Sequence, residues 1–162
     1  MKSKLIESEN LAGEALNSFS DKFGDTKKPT VILSPASLIL LGDHTHYNDG
    51  LLISCAINAH TAVVISQRED EQRNFHFSKK SLSKDFCESA SDQSLLPAKI
   101  ANQISELICE KYELAKGFNC TFLSNIPQSV GLGGISSLSI GLIEAFKREY
   151  KLKMKPEEIK AL

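Results

Sequence analysis

The feature that most constrains this chain is a dense cluster of polar residues enclosed by two apolar segments. Residues 34–50 read SPASLILLGDHTHYNDG, and a second apolar stretch follows Gly50. A hydrophobic core offers no partners for so many hydrogen-bonding side chains, because a buried polar group is costly unless it is paired. The cluster suits a site that binds a small polyhydroxylated ligand, in which each hydroxyl needs a donor or acceptor at a fixed position.

A glycine-rich turn lies downstream, directly before a helical pattern. It comprises Val130, Gly131, Leu132, Gly133 and Gly134. The N-terminus of a helix carries about half a positive charge and unsatisfied N–H groups, so such a loop can bind phosphate without a basic side chain. The alternative is a tight strand-to-helix turn that needs glycine for positive φ. The pattern is neither a Rossmann fingerprint nor a Walker A loop, because Ser136 replaces the third glycine and no Gly-Lys-Ser/Thr follows.

Composition and charge exclude several classes of function. The 162 residues are 41% hydrophobic and 24% charged, which is typical of one soluble globular domain. A net charge of -1 gives no basic surface for nucleic acid or an anionic membrane. The first ten residues lack the apolar segment of a signal peptide, and polar residues interrupt the stretch 51–65 before it spans a bilayer. We therefore predict a cytoplasmic protein with neither nucleic acid nor a membrane as a partner.

The cysteines and two of the histidines show no functional pattern. No CxxC pair or regular spacing connects the cysteines, which are Cys55, Cys87, Cys109 and Cys120. We expect four buried, reduced thiols rather than two disulfides, because disulfides are rare in the cytosol. His60 and His76 lack a polar context and are expected to be structural.

Hydrophobic periodicity predicts a mixture of helices and strands. Helical spacing of apolar residues occurs at 10–23, 97–112 and 135–150, with a further helix starting at 156. Strands are predicted at 30–33 and 38–41, flanking a turn at 34–37, and at 51–67 (as one or two strands), 75–77 and 118–123. An exposed excursion is predicted at 78–94. Runs of strands with helices between them indicate an α+β domain rather than a regular βαβ series.

Three interpretations of the polar cluster remain open from the residues alone. His44 and His46 beside Asp43 have the donor types of a metal site, but two histidines in one segment supply too few ligands. Capping of the local backbone by Asp43, Asn48 and Asp49 explains three polar residues and leaves the histidines unexplained. A ligand site accounts for the whole cluster.

Both segments resemble motifs of one known family. LLGDHTHYNDGLLISCAI resembles the galactokinase signature, usually written GRVNLIGEHTDYNGG with an apolar segment and CAI after it. NIPQSVGLGGISSLSIGLIEAF resembles the second family motif, P-x-G-x-G-L-S-S-S-A-S, in the same order and at a compatible separation. The resemblance covers about residues 10–162 and implies the N-terminal domain of a GHMP-type small-molecule kinase.

The resemblance implies a fold and an activity. The implied fold is the superfamily's α+β N-terminal domain, a mixed and mostly antiparallel sheet covered by helices on one face. The implied activity is transfer of the γ-phosphoryl group of ATP, with Mg²⁺, to the anomeric hydroxyl of galactose or a related sugar. The partners would then be a small-molecule sugar and ATP. The alternative is a non-catalytic paralogue or truncated product that acts as a sugar or nucleotide sensor.

The resemblance also assigns site residues within two segments, 34–50 and 127–137. The sugar would be held by Asp43, His44, Thr45, His46, Asn48, Asp49 and Gly50. The nucleotide phosphates would be wrapped by Ser129, Val130, Gly131, Leu132, Gly133, Gly134 and Ile135. Ser136 and Ser137 follow, and we expect them to act either as N-caps or as hydroxyls for a metal–phosphate cluster. No side chain is assigned as a dedicated metal ligand.

Three positions of the first segment depart from the family pattern. Asp43 replaces a glutamate. Its side chain is shorter, but its carboxylate can still accept a hydroxyl proton. His46 replaces an aspartate, so a sugar hydroxyl placed for a carboxylate would meet an imidazole. Ser37 stands at the position of the arginine thought to stabilise the transferred phosphoryl group, a contribution worth about a thousandfold or more in rate.

The second segment departs from the pattern as well. The three serines of the family loop correspond to Gly133, Gly134 and Ile135. The last serine normally helps to hold magnesium, and isoleucine has no oxygen for that purpose. A shift of one residue would let Ser136 or Ser137 replace the missing hydroxyl.

The last residues shape the expected domain organisation. A helix that starts at Pro156 and stops at Leu162 has little room to bury an apolar face. We infer a GHMP-like N-terminal domain over 1–162 that belongs to a longer protein or is a truncated gene product, with a short capping tail as the alternative. The family's catalytic aspartate would lie in a motif beyond Leu162, in a C-terminal domain absent from this chain.

Overall fold

The computed structural model describes residues 8–24, 28–45, 48, 50–78, 96–127 and 129–160. The helices in these ranges are α1 (Ser8–Phe23), α2 (Leu96–Lys111), α3 (Gly134–Glu149) and α4 (Pro156–Lys160). The strands are β1 (Thr30–Leu41), β2 (Ile53–Gln67), β3 (Arg73–Phe77) and β4 (Phe118–Ser124). None of the helices in these ranges is long and apolar enough to cross a membrane. The predictions for His46, Tyr47, Asp49, Cys87 and the excursion after Ser78 lie outside the described residues.

The strands form one mixed sheet in the order β1-β2-β4-β3. β1 pairs antiparallel with β2, and β2 pairs antiparallel with β4. β3 pairs parallel with β4 at the opposite edge from β1. The predicted fold class, an α+β domain with a mixed and mostly antiparallel sheet, is confirmed.

β1 corrects one prediction from the sequence. Two strands around a turn at 34–37 were expected, whereas Thr30–Leu41 is a single strand. Its register with β2 shifts between Pro35 and Ala36, and again between Ile39 and Leu41. Proline removes one ladder donor and is therefore tolerated at an edge strand or a bulge, and β1 provides both. The segment 51–67, predicted as one or two strands, contains the single strand β2.

The helices occupy both faces of the sheet, not one face as expected. Successive residues of a strand point to opposite faces, and β2 illustrates this directly. Val63 and Ile65 belong to a core cluster with α2 and α3. Ala62 and Val64 belong to a second cluster on the other side. The residues of α1 that are buried there are Leu11, Ala15 and Phe19.

A group of phenylalanines joins β3, β4 and α3. The ring of Phe122 stacks on Phe77 with centroids 4.8 Å apart and lies 5.9 Å from Phe75. Phe118 meets Phe146 of α3 edge-on at 4.9 Å. Stacked and edge-on aromatic pairs contribute beyond their buried area. The group therefore ties β4, which leads into the glycine loop, to the helix that follows the loop.

The described cysteines are free thiols, but one of them is not buried. Cys109 and Cys120 are buried, as expected. Cys55 is exposed, in the part of β2 that pairs with Leu38 of β1. The prediction of buried thiols is therefore wrong for Cys55, because β2 extends beyond the region that the helices cover.

His76 is expected to make the fold sensitive to mild acid. Its Nε2 lies 3.4 Å from Oγ of Ser18, and its ring packs edge-on against Phe23. Burial, with a smaller contribution from Lys22, lowers the pKa of His76. The unfolded chain therefore binds this proton more tightly than the folded chain. The free energy of unfolding should fall as pH drops below the unfolded pKa of about 6.5 and on through the lower folded pKa.

Urea denaturation at pH 7.5 and pH 5.5 tests this expectation, since both values lie above the range in which exposed carboxylates titrate. The loss of stability between the two pH values should be smaller in His76→Gln than in the wild type. Equal losses in the two proteins would show that another group causes the acid sensitivity.

Candidate active site

The glycine loop joins β4 to α3 through a series of left-handed residues. Ser129, Gly131 and Gly133 have φ values of 58°, 74° and 65°. Gly133 is the N-cap of α3 and has no side chain with which to cap it. The first N–H groups of a helix have no intrahelical acceptor, and they lie at the positive end of its dipole. The turn thus needs its glycines for positive φ, and the same turn leaves backbone donors at the helix end.

Three contacts fasten the loop and α3 to β1. The backbone N–H of Ser37 donates to the carbonyl of Leu132 at 3.2 Å. The hydroxyl of Ser137 donates to the carbonyl of Ser34 at 2.8 Å. Gly141 permits a close approach, since a Cβ there would lie 3.2 Å from Cβ of Ser34. The glycine loop is therefore held against the middle of β1.

The two serines of the first turn of α3 have different environments. Neither is the N-cap, because Gly133 holds that position, so the first of the two predicted roles is wrong. Ser137 is buried and its hydroxyl is bonded to β1, which removes it as a hydroxyl for a metal–phosphate cluster. Ser136 is exposed and lines the cleft beside the loop.

That cleft has a volume of about 420 Å³, which lies in the range of small-molecule sites. Its polar wall is the loop from Ser129 to Gly134, together with Ser136. Its apolar wall is formed by Leu96, Pro97, Ile126, Pro127 and Leu138. The described residues that line the cleft carry no charge. Backbone donors facing an apolar wall are chemically suited to the phosphates and the planar base of ATP.

The start of the loop is fixed to β2 by polar residues that the sequence prediction did not single out. Oδ1 of Asn125 accepts from the N–H of His60 at 2.6 Å, and the Asn125 N–H donates back to the His60 carbonyl at 3.1 Å. The hydroxyls of Ser124 and Thr61 are 3.1 Å apart. An asparagine directly after β4, at the start of the glycine loop, was the available signal. His60 acts here through its backbone, as a structural residue.

The polar cluster forms a turn between β1 and β2 that Thr45 organises. Its hydroxyl lies 3.1 Å from the carbonyl oxygens of both Gly42 and Leu51. Its own carbonyl accepts the N–H groups of Asn48 and Gly50 at 2.9 Å. Local capping therefore occurs, and among the described residues of the turn Thr45 provides it. The Thr45 hydroxyl, assigned to the sugar by resemblance, is used by the turn itself.

Space requires glycine at both ends of this turn. Gly42 has φ 87°, and a Cβ built on it would lie 2.2 Å from the carbonyl oxygen of Leu51. A Cβ on Gly50 would lie 2.5 Å from Cβ of Thr45. The role that Gly50 has in the structure is therefore to let the turn close.

Asp43 and His44 have exposed side chains in the polar cluster. They are 67% and 85% exposed, with Oδ2 of Asp43 4.0 Å from Nε2 of His44. An ion pair as exposed as this one adds little to stability, and both side chains are open to contact by a ligand. In the part of the chain that the structure describes, no group of three His, Cys, Asp or Glu side chains is placed to hold a metal ion.

β1 connects the two halves of the predicted site. Ser37 contacts the glycine loop, and Gly42 begins the polar turn directly after the end of the same strand. The strand between them spans about 16 Å at roughly 3.3 Å per residue. Ser37 is therefore placed beside the phosphate loop, while Asp43 and His44 lie at the end of the hairpin.

A second, larger groove of about 700 Å³ lies between α2 and α3. Its lining is mainly isoleucine and leucine, with Glu106 and Glu110 among the polar residues. Carboxylates repel a phosphate group, whereas the smaller cleft offers backbone donors. We therefore place the candidate site in the smaller cleft.

Two family models match the chain, and each includes one of the two segments. The galactokinase galactose-binding signature matches residues 17–67, which contain the Thr45 turn. The N-terminal domain of GHMP kinases matches residues 99–162, which contain the glycine loop and α3. In both segments the chain is similar to galactokinase-like GHMP kinases.

Individual relatives show the same likeness. A galactokinase of Lactococcus lactis subsp. cremoris is 29% identical over 142 residues, which are 84% of this chain and 35% of the relative. The crystal structure of Lactococcus lactis galactokinase complexed with galactose has a TM-score of 0.74 at 24% identity, covering 92% of this chain and 39% of that one. The Methanococcus jannaschii mevalonate kinase structure has a TM-score of 0.64 at 23% identity, covering 85% and 45%.

The coverages and identities determine which conclusions the similarity supports. The structural matches show the fold of a GHMP kinase N-terminal domain, as the resemblance implied. The galactokinase-like chain spans between about a third and a half of the length of these relatives.

Proposed function

We propose that the chain binds ATP at the glycine loop and a sugar at the Thr45 turn, as part of a galactokinase-type kinase. The reaction would transfer the γ-phosphoryl group of ATP to the anomeric hydroxyl of galactose or a related sugar. The observation that carries this proposal is the cleft in which the N-terminus of a 16-residue helix faces an apolar wall. The galactokinase signature over the Thr45 turn supports the sugar half.

The phosphates would bind at the first turn of α3. The N–H groups of Gly134, Ile135 and Ser136 lie there, and the helix dipole favours an anion at this end. Magnesium, which GHMP kinases generally use with ATP, would neutralise part of the negative charge of the phosphates. The exposed hydroxyl of Ser136 is the side chain of this turn that can approach such a cluster.

The sugar would bind at the Thr45 turn through the exposed side chains. A carboxylate such as Asp43 accepts hydrogen bonds from hydroxyls, and the imidazole of His44 can donate or accept. Thr45 and Gly50 would act indirectly, by holding the turn that presents those side chains. His46, Asn48 and Asp49 complete the proposed set on the strength of the family signature.

The comparisons do not favour the alternative of a non-catalytic sensor. A serine at position 37 offers no cation to the transferred phosphoryl group. We therefore expect a slow kinase, with turnover about a thousandfold below that of a relative that carries arginine there. A cytoplasmic location belongs to the same proposal.

Phosphoryl transfer measured on the full gene product tests the proposal. With MgATP and galactose, we expect galactose-dependent ADP release and a sugar phosphate signal in ³¹P NMR. Asp43→Ala and His44→Ala should each reduce the galactose-dependent rate at least tenfold, roughly the value of one charged hydrogen bond. Both variants should leave MgATP affinity unchanged within about twofold, because they lie away from the glycine loop.

Two results would contradict the proposal in different ways. Binding of MgATP and sugar without transfer to galactose or to any other hexose would support the sensor instead. Failure of the wild type to bind MgATP would remove the nucleotide site itself.

A further inference from the structure

The chain leaves the sheet at Asn125, directly after β4, and the side chain of this residue takes part in the last pairing. The regular ladder between β2 and β4 ends at the pair of Thr61 and Ser124. At the next position the Asn125 N–H donates to the carbonyl of His60 at 3.1 Å, as in a continuing antiparallel ladder. The His60 N–H, however, donates to Oδ1 of Asn125 at 2.6 Å.

The side-chain oxygen of Asn125 therefore takes the place of a backbone acceptor. Two residues that face each other in a hydrogen-bonded antiparallel pair exchange both backbone bonds, so the carbonyl of residue 125 would normally accept from His60. Because the side chain accepts instead, the backbone can turn out of the sheet at this residue while the His60 N–H stays paired.

A second side-chain acceptor supports the same exit from the sheet. The N–H of Ile126 donates to Oγ of Ser124 at 3.2 Å. Both Asn125 and Ile126 are buried, with 3% and 5% of their surfaces exposed. A buried donor that loses its partner is costly. These side-chain acceptors therefore fix the residue at which the chain departs from β4.

The point of departure determines where the glycine loop lies. Ile126 and Ser129, which follow Asn125 closely in the sequence, already line the cleft. Further along, the loop is held to β1 by the bond from the Ser37 N–H to the carbonyl of Leu132. Because so short a segment is held at both ends, a change at Asn125 must shift the loop and the backbone donors at the start of α3.

We propose that Asn125 is a positioning residue, which sets the position of the glycine loop over the N-terminus of α3 and thereby the affinity for nucleotide. Without this acceptor, the His60 N–H takes the backbone carbonyl of residue 125, which extends β4 and draws the loop toward the sheet. Asn125 is not among the described residues that line the cleft, so it acts through the loop. This inference rests on the proposed function of the loop as the nucleotide site.

Isothermal titration of the full gene product with MgATP tests the inference. Asn125→Ala should weaken MgATP binding by about tenfold, the value of one hydrogen bond to a charged group. The N–H of Ser37, which is bonded to the loop at Leu132, should also exchange with solvent faster in this variant. Asn125→Asp keeps an acceptor at the same reach and should keep the slow exchange of the Ser37 N–H.

Asn119→Ala is the matched control. Asn119 is a buried asparagine at the other end of β4, and its Oδ1 accepts from Arg68 at 3.1 Å and from Asn74 at 3.0 Å. Its replacement removes the same kind of acceptor from the same strand, so both alanine variants should unfold at a lower urea concentration than the wild type. Asn119→Ala should change MgATP affinity by less than about twofold, because Asn119 lies away from the loop.

The outcomes separate this inference from the function on which it depends. Weaker MgATP binding and faster Ser37 exchange in Asn125→Ala, without either effect in Asn119→Ala, support the positioning role. Unchanged affinity in Asn125→Ala, an equal loss in Asn119→Ala, or fast Ser37 exchange in Asn125→Asp overturns that role and leaves the nucleotide site intact. No binding of MgATP to the wild type overturns both.

A second variant covers the case in which Asn125→Ala does not fold, as checked by circular dichroism. Asn125→Ser then replaces it, because the serine oxygen lies one bond closer to the backbone and falls short of the His60 N–H. The same results are expected for Asn125→Ser, and the same results overturn the inference.

Discussion

Replacing Phe122 with alanine is expected to lower the free energy of unfolding by about 3–5 kcal/mol. Phe122 is fully buried in β4 and stacks on Phe77 at 4.8 Å. Its removal leaves a cavity at the centre of the aromatic group that joins β3, β4 and α3. Because domains of this size are stable by only about 5–15 kcal/mol, the loss is a large fraction of the total and should shift the unfolding transition to a clearly lower urea concentration. Urea denaturation followed by circular dichroism measures the change.

Leu51→Ala is the matched control for this prediction. Leu51 is also a large apolar residue, but it is 92% exposed at the end of the hairpin. Its replacement should change the free energy of unfolding by less than about 0.5 kcal/mol. A loss below about 1 kcal/mol for Phe122→Ala would show that the aromatic group does not form the core.

Gly42→Ala is expected to open the Thr45 turn and to weaken sugar binding by about tenfold or more, which corresponds to about 1.4 kcal/mol. Gly42 has φ 87°, and its new Cβ would lie 2.2 Å from the carbonyl of Leu51. The backbone must therefore move, which separates Thr45 from the carbonyls that its hydroxyl contacts. Hydrogen exchange should become faster at the Asn48 and Gly50 N–H groups, which are bonded to the Thr45 carbonyl. Titration with galactose measures the effect on binding.

Gly24→Ala separates steric overlap from backbone strain. Gly24 has a similar φ of 77°, but a Cβ there would meet nothing within 4 Å. This control should cost some stability and leave hydrogen exchange at Asn48 and Gly50 unchanged. If Gly42→Ala also left those amides protected, the Thr45 turn would not depend on close packing at Gly42.

The helices were predictable from the sequence, but their arrangement on the sheet was not. Apolar spacing locates α1, α2 and α3 to within about two residues, because each helix buries one continuous stripe. The apolar stripe of α1 consists of Leu11, Ala15 and Phe19. The stripe predicts a helix, but it does not indicate which face of the sheet the helix covers. That choice depends on the pairing of β2 with both neighbours, which local sequence does not contain. Pro35 led to the wrong prediction of a turn at 34–37, because an edge strand with a bulge tolerates proline and the sequence does not show that β1 is such a strand.

The two halves of the candidate site were predictable because each is a contiguous motif. The role of individual residues within them was not, because it depends on contacts between distant segments. Thr45 appeared to be a ligand residue, and the structure uses its hydroxyl to close the turn. The contact of Ser37 with Leu132 depends on how β1 and the glycine loop pack, and neither segment shows it alone.

The attachment of the glycine loop to β1 has a thermodynamic consequence. A loop that is already held by Leu132 and Ser137 loses little conformational entropy when an anion arrives, so more of the contact energy appears as affinity. Such a preorganised template should bind nucleotide with a small change in heat capacity and without a slow rearrangement step. Weakening the attachment, rather than the anion contacts, would convert the same site into one that must order itself on binding.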